Sequence, residues 1–340
     1  MRVLLDTTAE QLAPYSGTGV YVARLREALA VSGQVEMIAA VNPRRRPPAG
    51  GGAGSAANGL AELWWYRREL PRRARRAGAA LVHHPRPPLL LVPGIPNVIT
   101  VQDLAFERLP EYFDPRWRRV ARITHRAAAR HAAAVVAISR TTARDLRELW
   151  GVESIVAMLG PGQLTEPPAL GAPRHFLYVG DDEPRKNLPL LLSAYAAYRR
   201  AAEDPLPLVL AGSARATGAG VVHRSGVGPE ELADLLATAV ALVQPSRYEG
   251  SGLSALEAMA AGVPVLAARA PGLTEICAGA ALFAAPDDPT TFTAALHRLA
   301  DDAELRAELR EAGRRRAAGF SWAASADDHL AAYSVSLESA

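Results

Sequence analysis

Residues 244–264 decide the fold, and they read Gln-Pro-Ser-Arg-Tyr-Glu-Gly-Ser-Gly-Leu-Ser-Ala-Leu-Glu-Ala-Met-Ala-Ala-Gly-Val-Pro. The apolar run before Pro245 is typical of a buried strand, and a short loop rich in glycine follows it. The spacing of Leu253, Leu256 and Met259 then predicts a helix. Strand, loop and helix in this order form the unit from which parallel α/β sheets are built.

Two carboxylates stand in this stretch, on either side of a helix N-terminus. Glu249 lies in the loop, and Glu257 lies about one turn inside the helix. The loop glycines Gly250 and Gly252 leave backbone N–H groups bare where the helix dipole favours an anion. An anion held there between two carboxylates describes a nucleotide-sugar site, with phosphates on the N–H groups and sugar hydroxyls on the carboxylates.

A second glycine-led loop, residues 180–187, reads Gly-Asp-Asp-Glu-Pro-Arg-Lys-Asn and also opens a helix. Open α/β sheets bind ligands beyond the carboxyl ends of their strands, so we expect Arg185 and Lys186 to face the same anion. Lys186 is the only lysine in a chain whose other cationic side chains are all arginine. An ammonium is a compact point charge that a guanidinium does not replace. The alternative is a solvent-exposed helix start with Asn187 as its N-cap.

The alternation of apolar runs with helical patterns predicts an α/β protein with two Rossmann-like, doubly wound parallel-sheet domains. The predicted strands are 2–6, 35–41, 79–84, 97–103 and 133–138, then 175–180, 206–211, 240–244, 263–268 and 280–284. The predicted helices are 20–31, 61–78, 115–131, 140–150, 187–202, 229–238, 252–261, 289–300, 303–317 and 322–337. We expect a flexible loop over 44–58. The expected domains are 1–166 and 167–321, with a last helix in 322–340 packing back on the first domain.

Length and composition bound the class of protein. The chain has 340 residues, which suggests two domains at roughly 150 residues each. No apolar run approaches the roughly 20 residues of a membrane span, and the chain opens directly on a predicted strand, so we expect no signal peptide. A single cysteine, Cys277, excludes an internal disulfide and a cysteine-based metal cluster. These features predict a cytoplasmic protein.

Charge is distributed unevenly along the chain. Residues 1–168 carry a formal charge of +9 and the remainder −6, which together give the net +3. A basic N-terminal half fits an anionic partner, such as the inner face of a membrane, and it fits solvated arginine equally well. The arginines lack interleaved aromatic residues and any nucleic-acid-binding motif, so we expect no nucleic-acid partner.

These motifs together resemble the family-4 retaining glycosyltransferases of the GT-B fold. The resemblance is carried in the second half by Tyr178-Val-Gly, by Glu183-Pro-Arg-Lys-Asn and by the Glu249–Glu257 segment with its flanks. In the first half it is carried by three stretches, Gly17-Thr-Gly-Val-Tyr, Val98-Ile-Thr-Val-Gln-Asp-Leu and Ala137-Ile-Ser-Arg-Thr-Thr-Ala-Arg-Asp, and near the end of the chain by Phe320-Ser-Trp. It covers nearly the whole chain and implies two domains that face each other across a cleft.

The resemblance also implies roles for single residues. Glu249 would contact hydroxyls of the donor sugar, Glu257 would accept the ribose hydroxyls, and Arg185 with Lys186 would hold the diphosphate. Backbone N–H groups would bind phosphate or sugar; they belong to Ser251, Gly252 and Leu253, with Gly17 and Gly19 approaching from the other domain. The implied reaction is transfer of a hexose with retention, without metal or cofactor, in which the leaving phosphate helps to deprotonate the acceptor.

The chain departs from the family pattern at three places. Gln102 stands where the family usually has a histidine by the donor sugar; it can still hydrogen-bond a hydroxyl but cannot become charged. Ser251 and Ser254 replace an aromatic residue and a proline, which suggests a roomier and more polar sugar pocket. Asp181 replaces an arginine after the first phosphate-loop glycine, and Arg185 is the candidate substitute.

Other functions stay open on the sequence alone. A sugar-nucleotide epimerase of the same architecture would convert the donor without an acceptor, and a non-catalytic subunit would bind nucleotide sugar or a partner enzyme. A dinucleotide oxidoreductase fits poorly, because the Gly17 loop is not a full fingerprint. The Pro-Arg-Lys-Asn segment leans towards a mannose donor such as GDP-mannose, with UDP-sugars as the alternative. The acceptor is a saccharide, a lipid-linked saccharide or a small natural product.

Overall fold

A computed structural model describes residues 1–47, 53–164 and 166–338 and divides into two compact units. One unit comprises Met1–Gly160 together with Ser321–Ala340, and the other comprises Pro161–Phe320. Among the described residues no helix combines the length and the apolar character that crossing a bilayer takes.

The elements up to residue 160 are β1 (Arg2–Asp6), α1 (Thr8–Leu12), α2 (Gly17–Ser32), β2 (Glu36–Ala40), α3 (Ala53–Trp64), α4 (Leu70–Ala77), β3 (Leu81–His84), β4 (Asn97–Val101), α5 (Ala105–Arg108), α6 (Pro115–His131), β5 (Ala134–Ala137), α7 (Arg140–Asp145) and β6 (Ile155–Val156). A π-helical turn, Trp65–Glu69, joins α3 to α4, and another, Leu146–Trp150, ends α7.

The elements beyond residue 160 are β7 (His175–Val179), α8 (Leu188–Ala201), β8 (Leu208–Ala211), β9 (Val221–Arg224), α9 (Pro229–Ala237), β10 (Ala239–Gln244), α10 (Leu253–Ala261), β11 (Val265–Ala268), α11 (Leu273–Cys277), β12 (Leu282–Ala284), α12 (Pro289–Asp301), α13 (Ala303–Ala317) and α14 (Trp322–Glu338). A 3-10 turn, Pro184–Lys186, precedes α8.

Each unit is built on one six-stranded sheet whose strands all pair in parallel. The order in the first unit is β2-β1-β3-β4-β5-β6, and in the second it is β12-β11-β10-β7-β8-β9. The predicted class of two doubly wound parallel-sheet domains is therefore confirmed. In the second sheet the strand order reverses between β7 and β10, the position where such sheets bind their ligands.

The sheets form because their strands are apolar on both faces, as a parallel sheet covered by helices requires. All five residues of β4 and all six of β10 are buried. Side-chain caps fix where several helices begin: Ser16 accepts a hydrogen bond from the Gly19 N–H at the start of α2, and Asp114 accepts one from the Trp117 N–H at the start of α6.

The C-terminal helix α14 packs on the first sheet through buried polar side chains. The Tyr333 hydroxyl lies 2.8 Å from His83 Nδ1, and His329 Nε2 lies 2.8 Å from the Tyr21 hydroxyl. Thr100 Oγ1 joins the two pairs, at 2.7 Å from the Tyr21 hydroxyl and 2.8 Å from His83 Nε2. Each polar atom named here has a partner within the network, so these contacts fix the position of α14 on the sheet.

One predicted loop is partly wrong. Residues 53–58, within the loop predicted over 44–58, belong to α3, and residues 48–52 lie outside the described part of the chain. The segment lacks apolar periodicity, which is why the sequence pattern did not indicate a helix. Alanine is nevertheless the strongest helix former, and here α3 extends back from the apolar residues around Trp65.

Candidate active site

The loops that follow β7 and β10 meet at the point where the second sheet reverses. The Arg247 N–H donates to the Arg185 carbonyl across 2.9 Å. Asn187 adopts a left-handed backbone (φ 59°), and its side-chain amide donates to the carbonyls of Pro245 at 3.2 Å and Pro286 at 2.9 Å. These bonds hold the 3-10 turn that carries Arg185 and Lys186 against the loop that carries Glu249.

Glu249 is the centre of this meeting point. Its carboxylate is bonded at Oε1 by Lys186 Nζ at 2.7 Å and by Gln244 Nε2 at 2.9 Å, and Arg185 Nη1 lies 3.5 Å from Oε2. The side chain of Glu249 is 9% exposed, and those of Arg185 and Lys186 are 13% and 16% exposed. The structure thus brings together three of the predicted site residues, and the alternative of a solvent-exposed Arg185 is wrong.

Two cations set the charge of Glu249. Burial alone raises the pKa of its carboxyl, but the Lys186 ammonium and the Arg185 guanidinium outweigh burial and hold that pKa at about 2, below the ordinary 4.5. Glu249 is therefore ionised at neutral pH. An ionised carboxylate beside an ammonium can accept hydrogen bonds from sugar hydroxyls but has no proton to donate.

We expect Glu249→Gln to change how stability depends on pH. Because the folded-state pKa is depressed, the ion pair stabilises the fold above pH 4.5, and that stabilisation is lost as the pH falls towards 2. Between pH 6 and pH 3 the wild type should lose about 2 kcal/mol relative to the variant. Urea unfolding at several pH values measures this difference. Glu203→Gln, at an exposed carboxylate of the same unit, should follow the wild-type profile.

The first turn of α10 presents the predicted phosphate-binding amides. Gly252, at the N-cap, has a left-handed backbone (φ 62°), and Leu253 is the first helical residue. A Cβ at Gly252 would lie 3.0 Å from Leu273, so the turn leaves little room for another residue. The first N–H groups of a helix have no partner within it and point along its axis, so this turn offers donors to an anion, and the binding of phosphate there stays a prediction.

Glu257 is buried in α10 and binds residues 162–164, which lie between β6 and β7 in the sequence. Its Oε1 accepts a hydrogen bond from the Leu164 N–H at 3.0 Å and a shorter one from the Gln163 N–H. A Cβ at Gly162 would lie within 3.1 Å of both carboxylate oxygens. The structure therefore shows Glu257 as an anchor for residues 162–164, and its predicted contact with ribose stays a prediction.

The loop before α11 positions Glu249 from the other side, which sequence reasoning missed. The Glu249 N–H donates to the Pro271 carbonyl at 3.3 Å. Gly272 has φ 78°, and a Cβ there would lie 2.0 Å from the Glu249 carbonyl oxygen. The Ala-Pro-Gly sequence was the available signal, since a glycine after a proline marks a turn whose backbone other residues do not readily adopt.

We expect Gly272→Ala to displace the loop that carries Glu249. The Cβ overlap adds to the cost of a left-handed alanine, so unfolding free energy should fall by at least about 2 kcal/mol. Gly279→Ala is the matched control, because Gly279 has φ 87° with nothing within 4 Å of its Cβ. It should lose only about 1 kcal/mol. Equal losses in the two variants would mean that the contact with Glu249 is immaterial.

Gln244 is a second residue that sequence reasoning missed. It ends β10, is buried, and donates to both Glu249 and the Ser246 hydroxyl. A polar side chain closing an apolar run was the only available signal. Its amide bonds the same carboxylate oxygen of Glu249 that Lys186 bonds, so the carboxylate cannot rotate without breaking this bond.

Two predicted site residues of the first unit, Gly19 and Gln102, have local partners. The Gly19 N–H donates to Ser16 Oγ at 3.1 Å, and a Cβ at Gly19 would lie 2.1 Å from the Ala13 carbonyl oxygen, whereas a Cβ at Gly17 would meet nothing within 4 Å. Gln102 Nε2 donates to the Pro85 carbonyl at 3.0 Å. Close packing therefore explains why residue 19 is a glycine. The contacts of Gly17, Gly19 and Gln102 with phosphate or sugar stay predictions.

Family models match both halves of the chain. Residues 166–316 match the model described as glycosyl transferases group 1, and residues 15–162 match the one described as glycosyltransferase family 4. Over 159 residues the chain is 36% identical to the O-antigen chain mannosyltransferase B of Escherichia coli, covering 43% of this chain and 42% of that protein. The chain spans less than half the length of the curated relatives it matches first.

Solved structures match the fold along almost the whole chain. A sucrose-phosphate synthase from Thermosynechococcus elongatus superposes with a TM-score of 0.78 at 21% identity and covers 98% of both chains. HepE of Anabaena, solved with UDP and glucose, has a TM-score of 0.74 at 15% identity and covers 98% of this chain and 99% of its own. At these identities the match shows the fold, which is the GT-B glycosyltransferase fold.

Proposed function

The chain belongs to the group 1 glycosyltransferases, and we propose that it moves a hexose from a nucleotide-diphosphate sugar to an acceptor hydroxyl, with retention and without a metal ion. The observation that carries the proposal is the buried contact of Lys186 with Glu249 where the second sheet reverses. It sets a cation for a diphosphate beside a carboxylate for sugar hydroxyls, next to the first turn of α10.

Each group at this point has one task in the proposed reaction. The Lys186 ammonium has three N–H donors, so it can keep its bond to Glu249 while it binds a phosphate oxygen. Arg185 and the first N–H groups of α10 bind the same diphosphate, and Glu249 orients the hexose through its hydroxyls. Glu257 takes the ribose hydroxyls. Together these contacts place the anomeric carbon beside the diphosphate.

With the anomeric carbon beside the diphosphate, the proposed reaction breaks one bond at that carbon and forms another. The bond from the anomeric carbon to the phosphate oxygen breaks, and a bond from the same carbon to the acceptor oxygen forms on the same face. The acceptor proton passes to the leaving phosphate oxygen. Negative charge grows on the diphosphate as the first bond breaks, and the two cations with the helix N-terminus stabilise that charge. Neither a protein nucleophile nor a cofactor is required.

The names of similar proteins support two classes of donor. The Escherichia coli relative is named a mannosyltransferase, which supports GDP-mannose, whereas the HepE complexes with UDP and glucose support a UDP-sugar. Both classes carry a diphosphate, so the Lys186 and α10 contacts fit either. The acceptor is proposed to be a saccharide, free or lipid-linked, or a small natural product.

A thermal-shift screen against UDP, GDP, TDP and their sugars tests the proposal. One donor should raise the melting temperature of the wild type and fail to raise that of Lys186→Ala. Transfer from that donor should then proceed in EDTA and give the donor's anomeric configuration by NMR. Conversion of the donor with no acceptor present would make the protein an epimerase. Transfer only after a second protein is added would make it a non-catalytic subunit.

A further inference from the structure

Helix α6 has an unusual distribution of side chains. Its buried residues are all alanines, Ala121, Ala128 and Ala129. Its large apolar residues point outward instead: Trp117 is 48% exposed, Val120 55% and Ile123 62%. An ordinary surface helix buries its large apolar side chains and exposes its polar ones, so α6 presents an apolar face that the described residues do not cover.

The same helix is strongly cationic. Between Pro115 and His131 it carries six arginines and no acidic residue, at positions 116, 118, 119, 122, 126 and 130. Two of these have partners: Arg122 lies 3.5 Å from Glu107, and Arg130 Nε donates to the Trp150 carbonyl at 3.0 Å. Arginines 116, 118 and 119, at the end that bears Trp117, form no ion pair within the described ranges.

The exposed tryptophan is held in place by aromatic neighbours. Phe113 stacks on Trp117 with ring centroids 5.8 Å apart, and Phe106 meets it edge-on at 5.6 Å. Because one side of the indole is fixed by packing, its exposed side loses little freedom on contact with a partner. A fixed aromatic ring beside aliphatic and guanidinium groups is the composition of helices that lie in the interface of a bilayer.

We propose that the outer face of α6 docks the protein on an anionic lipid surface. Trp117, Val120 and Ile123 enter the boundary between headgroups and acyl chains, and the arginines bind lipid phosphates. Anionic lipid is favoured over a protein partner because the unpaired charge is of one sign and lies beside an apolar face. This inference does not rest on the proposed transfer reaction, and it favours a lipid-linked acceptor among the classes left open.

Vesicle co-sedimentation tests the docking face. The full chain should bind vesicles of phosphatidylcholine with phosphatidylglycerol, bind phosphatidylcholine alone at least tenfold more weakly, and lose affinity as salt rises. Two variants should each weaken vesicle binding at least tenfold. One is the double variant Trp117→Ser with Ile123→Ser, and the other replaces the arginines at positions 116, 118 and 119 by Gln. Lipids brominated near the headgroup should quench tryptophan fluorescence in the wild type and lose that quenching in Trp117→Phe.

Matched controls lie on other surfaces of the same unit. Val31→Ser removes a side chain that is 89% exposed on α2, and Gln at positions 68, 75 and 76 removes three exposed arginines from the region of α4. Both controls should bind vesicles within about threefold of the wild type. Equal weakening by controls and α6 variants would overturn the proposal. Stronger binding to nucleic acid than to vesicles would also overturn it. A protein that binds no vesicles but forms a dimer, which Trp117→Ser dissociates, would overturn it as well.

Discussion

Lys186→Ala protein is expected to lose glycosyl transfer by at least about a thousandfold. Lys186 Nζ lies 2.7 Å from Glu249 Oε1, and only 16% of the Lys186 side chain is exposed. Its removal takes away a cation proposed to stabilise charge on the leaving diphosphate. It also leaves the buried Glu249 carboxylate with Arg185, 3.5 Å away, as the remaining cation that the described residues place beside it. Initial rates at saturating donor measure the loss.

Two comparisons separate a role at the diphosphate from a role in folding. The affinity of Lys186→Ala for a nucleoside diphosphate should fall by at least tenfold, while its affinity for the nucleoside alone should stay within about threefold. Arg200→Ala, at an exposed cation near the end of α8, the helix that follows the turn of Lys186, should transfer like the wild type. If Lys186→Ala protein has a lower melting temperature than the wild type but still binds the nucleoside diphosphate more tightly than the nucleoside, Lys186 serves only to neutralise Glu249.

Lys186→Arg tests whether the shape of the cation matters. A guanidinium keeps the charge but is a flat fork, and the space around Glu249 is already shared with Gln244 and Arg185. We expect the variant to fold and to retain only a small part of the transfer rate. Full activity would show that any cation suffices at position 186, and that the reaction does not require an ammonium group there.

The sequence predicted those parts of the molecule that depend on local pattern. Apolar runs and glycine loops indicated the strands, and the rule that ligands bind where strand order reverses placed the loops after β7 and β10 together. That Lys186 and Glu249 would bond directly could not be derived, because they are 63 residues apart and their distance depends on how both loops pack. The same holds for Glu257 and the segment at residue 164, which are 93 residues apart.

Other features could not be predicted because the sequence pattern does not say which side chains are buried. Helix α6 was predicted over its full length, yet its sequence does not say that the alanines face inward and Trp117 outward. The charge asymmetry of the chain fitted either an anionic partner of the N-terminal half or solvated arginine, and the exposed fractions in the fold select one helix of that half as the candidate surface. Gly272 likewise reads as an ordinary turn residue until its approach to the Glu249 carbonyl is seen.

Glu257→Ala is expected to weaken nucleotide binding by at least about a hundredfold and to leave the maximal rate nearly unchanged. A buried carboxylate that accepts two ribose hydroxyls forms charge-assisted bonds worth about 1.5–3 kcal/mol each, and they are the same in ground and transition states. The loss should therefore appear in the Kd for the nucleoside diphosphate and in the donor KM, not in kcat. Calorimetry and steady-state kinetics measure the two effects.

The anchoring of residues 162–164 by the same carboxylate makes a second variant necessary. Glu257→Ala also leaves the Gln163 and Leu164 N–H groups without this acceptor, so it should lower stability as well as affinity. Gly162→Ala leaves the carboxylate in place but sets a Cβ within 3.1 Å of it, which should displace it and weaken nucleotide binding with a smaller loss of stability. If Glu257→Ala melts lower while its folded fraction binds nucleoside diphosphate like the wild type, Glu257 is an anchor for the 162–164 segment and the ribose belongs elsewhere.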